Sequence, residues 1–269
     1  MAIGGDIVGR TAAMLALGSA RILPAAIMLP PFGGRHLRLQ VRIAFGCLLA
    51  LLVWPAIAAA YDTAGLDHAA PLVLILVAGR ELAVGVAVGF VVSLAFQAAA
   101  AAGYLGDVLR GAHGASLVAP AQAGDWPSPL GALYTLLATV IFLEIGGIGR
   151  VVGALLESYA AIPLGLRAAT TTGMRSAGLV VALASAKLVT AALALSAPLI
   201  VASLLADIAL GALARVAPQL PVHFLGLPAK GLLGVGVVLL CLGALSGALA
   251  RGFGGWLELL SKTLASFVR

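Results

Sequence analysis

The chain has 269 residues, of which 62% are hydrophobic and only 10% are charged, and its mean hydropathy is +1.14. A soluble domain carries about 25% charged residues, so this composition excludes an ordinary soluble protein and indicates an integral membrane protein. The net charge is +6, but there is no basic stripe with interleaved aromatic residues, which argues against nucleic acid as a partner.

The first apolar runs are long enough for membrane helices, because about 20 apolar residues span the hydrocarbon core. A basic link separates the run 8–31 from the uncharged run 43–61, and the acidic loop 62–71 follows. This order predicts a hairpin whose basic link lies in the cytoplasm. A cleavable signal peptide is not favoured at the N-terminus, because Asp6 is out of place there and the apolar pattern continues past Arg21.

Two later regions are predicted to be interrupted. Region 72–105 is too long for one untilted span, and Arg80 with Glu81 breaks its apolar run. Region 177–206 contains Pro198, which predicts a kink or two shorter helices. The remaining predicted elements are a helix 130–146, a mixed segment 147–176 broken at Pro163, a turn-rich stretch 207–230, a helix 231–250 and a tail 251–269.

The charge distribution gives no consistent topology. If every apolar run spans once, the segment 147–176, with three arginines and one glutamate, falls on the side opposite to the basic link of the first hairpin. Either some runs do not span, or the chain is held in an assembly that relaxes the rules of a bilayer. These observations predict an all-α polytopic membrane protein.

The predicted domains are a single membrane domain over 1–250 and an amphipathic tail over 251–269. Apolar positions of the tail recur at helical spacing, which predicts a surface helix or a partner-binding helix. Within the membrane domain, small residues are expected to let helices approach closely. GxxxG spacing, a weak signal in a chain with 34 glycines, occurs at Gly85/Gly89, Gly149/Gly153 and Gly243/Gly247.

Residues 103–131 differ from the rest of the chain because they combine glycine, proline and charged residues between two apolar runs. Such a long irregular segment is typical of a functional loop or of disorder. A gate or pore lining and a plain solvated loop are both open from composition. The candidate pore or plug residues, within a loop 104–129, are Asp107, Arg110, Gly111, His113, Gly114, Ser116, Pro120, Gly124, Ser128 and Pro129.

Enzyme fingerprints are missing from the sequence: it has no GxSxG, no P-loop and no HExxH. We therefore predict no catalytic activity, no cofactor and no metal site, and we interpret Cys47 and Cys241 as small buried hydrophobes. Ionisable residues in or near apolar runs predict structural ion pairs, with a proton relay of a secondary transporter as the alternative. These residues are Arg80, Glu81, Glu144, Lys187, Asp207 and Arg215.

Several stretches together resemble the FliR/YscT/SctT family, a core component of the type III secretion export apparatus. The similarity is carried by Arg21-Ile22-Leu23-Pro24, Gly79-Arg80-Glu81-Leu82, Asp107, Arg110-Gly111, Ser128-Pro129-Leu130-Gly131, Ser158-Tyr159, Asp207, Arg215, Ala217-Pro218-Gln219 and Lys230. Pro221-Val222-His223 departs from the family pattern, which puts the local turn geometry in doubt. The Arg110-Gly111 and Ser128 to Gly131 signatures favour the injectisome branch, while the flagellar branch stays open.

The resemblance implies a fold of helical hairpins, with an irregular gate loop between apolar helices, that forms a gate for unfolded proteins in the bacterial inner membrane. Its partners would be two small hydrophobic membrane proteins, an autocleaving switch protein and the exported substrates, with lipid around them. The loop would contribute to the plug that closes the channel. We expect the small-residue centre 111–124 to move, and we expect Asp107 with Arg110, and Ser128 to Gly131, to anchor the two ends of the loop.

Overall fold

The computed structural model describes residues 2–29, 38–64, 66, 70–111, 128–161, 164, 171–219 and 221–266. These residues form nine α-helices and no strand, which confirms the prediction of an all-α membrane protein. The helices are α1 (Ala2–Met28), α2 (Leu39–Leu52), α3 (Trp54–Ala64), α4 (Pro71–Leu109), α5 (Pro129–Glu144), α6 (Gly147–Ala161), α7 (Thr171–Val216), α8 (Val222–Leu240) and α9 (Leu242–Ser266).

Three segments of the described chain are each long and apolar enough to cross a membrane as a single helix: Arg10–Met28, Pro71–Leu109 and Ala182–Val216. Three consecutive pairs, α2 with α3, α5 with α6 and α8 with α9, pass the same test together but are bent by more than 40° at a short break. A bent pair can be one broken span or a re-entrant loop. The assumption that every apolar run spans once is therefore not required by the structure.

Several predicted boundaries are wrong. Arg80 and Glu81 lie inside the continuous helix α4, because the Glu81 side chain is buried against an arginine of α1 instead of ending the helix. Pro198 does not divide α7, which also takes up the first part of the stretch predicted to be rich in turns. A proline is tolerated in an apolar helix where neighbouring groups satisfy the freed backbone.

Two apolar runs that were predicted as single helices are each divided. The run 43–61 breaks at Val53, because Pro55 lacks an N–H and fits only the first turn of a new helix, α3. The run 231–250 breaks at Cys241, so that α8 and α9 meet inside it. The predicted limit between membrane domain and tail, residue 250, consequently lies within α9.

Unit 1, one of two compact units, comprises residues 1–94, 146–185 and 254–269. Its core contains Leu17, Ile22, Ile57 and Tyr61 among other buried apolar residues. Gly85 of α4 packs directly on α1, since a Cβ added there would overlap the backbone carbonyl of Arg21. One of the three GxxxG pairs therefore marks a close helix approach.

The other two GxxxG pairs do not mark such an approach between helices. A Cβ at Gly149, Gly153 or Gly243 would meet nothing within 4 Å in the described chain. A Cβ at Gly247 would lie 3.4 Å from the Arg251 side chain, which belongs to the same helix. Spacing alone does not say which glycine pairs face a neighbouring helix.

Unit 2 comprises residues 95–145 and 186–253. Its centre holds three aromatic rings: Phe96 lies 5.2 Å from Phe142 and 4.9 Å from Phe253, measured between ring centroids. The helical spacing predicted for the tail is present in α9, but Phe253, Trp256 and Leu260 are buried within this chain. Those three side chains are therefore not offered to a membrane surface or a partner.

Candidate functional site

Asp107, which is fully buried near the end of α4, joins the two ends of the predicted gate loop. Its Oδ1 accepts a hydrogen bond from Nε of Arg110 at 2.8 Å and lies 2.6 Å from Nη2 of the same guanidinium. Its Oδ2 accepts from the Ser128 hydroxyl at 2.5 Å and from the Leu130 backbone N–H at 3.0 Å. One carboxylate thus connects the last turns of α4 to the first turn of α5. We call these contacts the Asp107 tie.

The sequence around α5 explains why its first turn is formed there. Ser128 is the N-cap residue, and its hydroxyl oxygen accepts from the Gly131 N–H at 2.8 Å while its proton goes to Asp107. Pro129 occupies the first helical position, where a missing N–H is harmless. The negative charge of Asp107 is also favoured there, because the N-terminus of a helix carries a partial positive charge.

Glycines allow α4 to reach this position. A Cβ at Gly103 would overlap the Leu130 carbonyl and the Gly131 nitrogen, so the two helices cross in contact there. Gly111 follows the end of α4 with a φ of +74°, a conformation that L side chains rarely adopt. The spacing of Gly103, Asp107 and Gly111 therefore sets the crossing, the tie and the end of the helix.

These contacts bring Asp107, Arg110, Ser128 and Leu130 together. That they anchor the ends of a gate loop stays a prediction. The centre of the loop, 112–127, lies outside the described residues. The same holds for the candidate residues His113, Gly114, Ser116, Pro120 and Gly124. A plug role for the loop stays a prediction.

A second buried polar cluster lies in unit 1. Arg21 of α1 is fully buried, its Nε is 2.5 Å from Oε2 of Glu81, and its Nη1 donates to the Ser158 hydroxyl at 3.1 Å. The guanidinium lies 4.2 Å from the ring centroid of Tyr159, whose hydroxyl donates to the Gly18 carbonyl. Oε1 of Glu81 has no hydrogen-bond partner among the residues described.

Sequence reasoning identified Glu81 as a buried ionic residue but did not identify its partners. The position of Arg21 inside an apolar run was a usable signal, because an intramembrane arginine requires a carboxylate or carbonyl partner. The roles of Ser158 and Tyr159 had no such signal. Their contacts to α1 depend on tertiary packing over more than 130 residues of sequence.

The other predicted buried ionic residues are less enclosed. Arg80 and Lys187 are half-buried, whereas Glu144, Asp207 and Arg215 are exposed on the isolated chain. Asp207 still forms an ion pair with Lys230. Their helix faces are not covered by any described part of this chain, which is the physical reason for the exposure.

Neither cysteine belongs to the Asp107 tie or to the buried cluster around Arg21. Cys47 is exposed and Cys241 is half-buried, so the interpretation of Cys47 as a buried residue is wrong. Within the described ranges, no group of three or more His, Cys, Asp and Glu side chains lies together in a way that could hold a metal ion.

Comparison with known proteins gives one family and two groups of relatives. The profile of the family described as "Bacterial export proteins, family 1" matches residues 12–255. The chain is 31% identical over 160 residues to Yop proteins translocation protein T of Yersinia pestis, a match that covers 59% of each protein. It is 33% identical over 150 residues to Surface presentation of antigens protein SpaR of Salmonella typhimurium, covering 55% of this chain and 54% of SpaR. The matched region is therefore less than two thirds of either relative.

Proposed function

This chain belongs to the bacterial export proteins, family 1, the family of FliR and YscT, and on this premise we propose that it is a subunit of a type III protein export gate in the bacterial inner membrane. The printed name of the Yersinia relative refers to the translocation of Yop proteins, which supports protein as the transported cargo. Together with the SpaR match it supports the injectisome branch over the flagellar one. The role is that of a channel component and not of an enzyme.

The Asp107 tie is the observation that carries the proposed mechanism. It holds the C-terminal end of α4 against the N-terminal end of α5, so the residues at the two ends of the intervening loop lie close together. Irregular backbone at membrane depth is tolerated only where protein buries it or water lines it. In the proposed gate, the loop 104–129 lies across the channel at rest, and its small residues offer an unfolded chain a path without adhesive side chains.

Partner subunits and lipid are expected to cover the apolar surface that this chain leaves open. In the most apolar window of Ala182–Val216, only 22% of the residues are buried within the chain, and Leu204, Leu205 and Ile208 are exposed. The proposed partners are two small hydrophobic membrane proteins and an autocleaving switch protein. Exposed leucines on several helices support such an assembly, because large exposed apolar patches mark interaction or membrane surfaces.

Deletion of 112–123 tests the plug role. The deletion should raise the leak of ions or small molecules through the assembled gate, because it removes the small-residue centre while Asp107, Arg110 and Ser128 remain. A variant in which 112–123 is replaced by an equally long Gly/Ser segment is the matched control for loop length. Unchanged leak in the deletion variant, with the gate subunits still copurifying, would contradict the role.

A further inference from the structure

The first half of α8 packs against the end of α4 from which the proposed gate loop starts. A Cβ added to Gly234 of α8 would lie 3.2 Å from Cδ of Arg110, so the stem of the arginine rests on this glycine. A Cβ added to Gly111 would lie 2.8 Å from Cδ2 of Leu227. Because Leu227 and Gly234 are seven residues apart, they lie on the same face of α8. One face of α8 therefore covers both Arg110 and the glycine that follows α4.

Lys230 lies between these two contacts along α8 and connects α8 to α7. Its ammonium group forms an ion pair with Asp207, and the Lys230 side chain is only 18% exposed. Four residues before Lys230, a Cβ at Gly226 would lie 2.8 Å from Cδ1 of Leu210, so the start of α8 also packs directly on α7. The ion pair and this close approach hold the first half of α8 against α7.

The sequence of this part of α8 supports a helix only weakly. Residues 222–234 include three glycines and Pro228, and Pro221 at the N-cap provides no side-chain hydrogen bond. Each glycine costs a helix about 1 kcal/mol relative to alanine, and a proline removes one backbone hydrogen bond. The position of this segment therefore depends on its contacts with α4 and α7 more than on its own helical stability.

We propose that residues 222–234, which we call the α8 brace, hold the end of α4 in place so that the gate loop lies across the channel at rest. The ion pair between Asp207 and Lys230 fixes the brace against α7. The brace in turn fixes Arg110, whose guanidinium is bound to Asp107. Lys230 and Gly234 are thus positioning residues for the plug, and they can act in this way only if the loop is the plug, as proposed above.

The position of the brace can be measured independently of the plug. Spin labels would be attached to Val108→Cys in α4 and Leu232→Cys in α8, both at exposed positions, in the whole chain with its native cysteines replaced by serine. Double electron–electron resonance in detergent should give one narrow distribution of distances between the labels. Lys230→Met should broaden it, because Asp207 then loses its partner. Arg215→Met, which removes an exposed cation from the end of α7, is the matched control and should not.

A second substitution perturbs the contact between the brace and α4. Gly234→Val would press on the stem of Arg110, whereas Gly236→Val adds the same side chain at a position of α8 where a Cβ would meet nothing within 4 Å. Both variants change the helix propensity by the same amount, so a difference between them reports the contact with Arg110. We expect only Gly234→Val to broaden the distance distribution.

The leak of ions through the assembled gate shows whether the brace acts on the plug. Lys230→Met and Gly234→Val should each raise the leak, by up to about fivefold for the loss of one partly exposed ion pair in a two-state equilibrium. The double variant Asp207→Lys/Lys230→Asp should restore the original leak, because it forms the ion pair again. The two control variants should leave the leak unchanged, and copurification of the gate subunits verifies that each variant assembles.

Three results would overturn the proposal. The first is a distance distribution that Lys230→Met and Gly234→Val leave as narrow as their controls do. The second is a broadened distribution with unchanged leak, while deletion of 112–123 does raise the leak; the plug role would then stand and only the brace would fail. The third is a deletion that itself causes no leak, in which case the plug role fails and the brace falls with it.

Discussion

Replacing Asp107 with asparagine tests whether the tie between α4 and α5 stabilises the fold. The asparagine side chain has the same size, but only one of its two terminal atoms accepts hydrogen bonds, and the negative charge is lost. The contacts affected are those to Arg110, Ser128 and the Leu130 N–H. Because these groups are largely withdrawn from solvent, the substitution should be strongly destabilising.

The expected loss of stability follows from the individual contacts that Asp107 makes. Loss of a helix-capping acceptor costs about 0.5–2 kcal/mol, and loss of a negative charge at a partly buried helix N-terminus costs up to about 2 kcal/mol. Breaking a buried ion pair costs about 3–5 kcal/mol, but the Arg110 side chain is 13% exposed and keeps some solvation. We therefore expect Asp107→Asn to lower the free energy of unfolding by about 3 kcal/mol, and Ser128→Ala by about 1 kcal/mol.

The assay is equilibrium unfolding of the purified chain in mixed micelles, with far-UV circular dichroism followed as the fraction of denaturing detergent is raised. The double variant should lose less than the sum of the two single losses, because Asp107 and Ser128 share one hydrogen bond. Strictly additive losses, or an Asp107→Asn loss no larger than that of Ser128→Ala, would refute the role of Asp107 as the centre of the tie.

Further predictions concern the rest of the chain. Glu81→Gln should lower the free energy of unfolding by about 3–5 kcal/mol, because it leaves the Arg21 charge buried without its partner. The double variant Arg21→Met/Glu81→Leu should lose less stability, since it removes both charges. A larger loss in the double variant than in Glu81→Gln would be inconsistent with a buried ion pair. Gly85→Ala should lower the free energy of unfolding by about 1–3 kcal/mol, because the added Cβ meets the Arg21 backbone. Gly149→Ala, whose Cβ would enter open space, should be neutral or stabilising. Equal effects of the two substitutions on stability would count against a close approach of α4 to α1 at Gly85. We predict that the tail 251–269 faces the cytoplasm, so Ser266→Cys in a chain without Cys47 and Cys241 should react in cells with reagents from the cytoplasmic side. Reaction only from the periplasmic side would contradict this orientation.

The sequence predicts the elements of this fold where one physical signal dominates. Apolar length places α5 within two residues of its observed bounds, whereas α1 begins six residues before the predicted start. The expectation that Asp107 and Ser128 anchor the two ends of the loop followed from the family resemblance, and the hydrogen bond between them became visible only in the structure.

Prediction fails where tertiary contacts override local signals. Arg80 and Glu81 do not interrupt α4, because Arg21, 60 residues away from Glu81, neutralises its charge inside the core. The exposure of Asp207 and Glu144 could not be predicted from the sequence either, since it depends on which helix faces this chain leaves uncovered.

The central claim, that exported protein passes the loop between α4 and α5, can be tested by crosslinking in cells. A photoreactive residue would be placed at Ser116 in the loop, and at the exposed Leu232 of α8 as a control, while a substrate protein is stalled during export. The account predicts crosslinks between the substrate and position 116 that depend on export, and none from position 232. Crosslinks to the substrate that are absent at 116, or equal at the two positions, would contradict it.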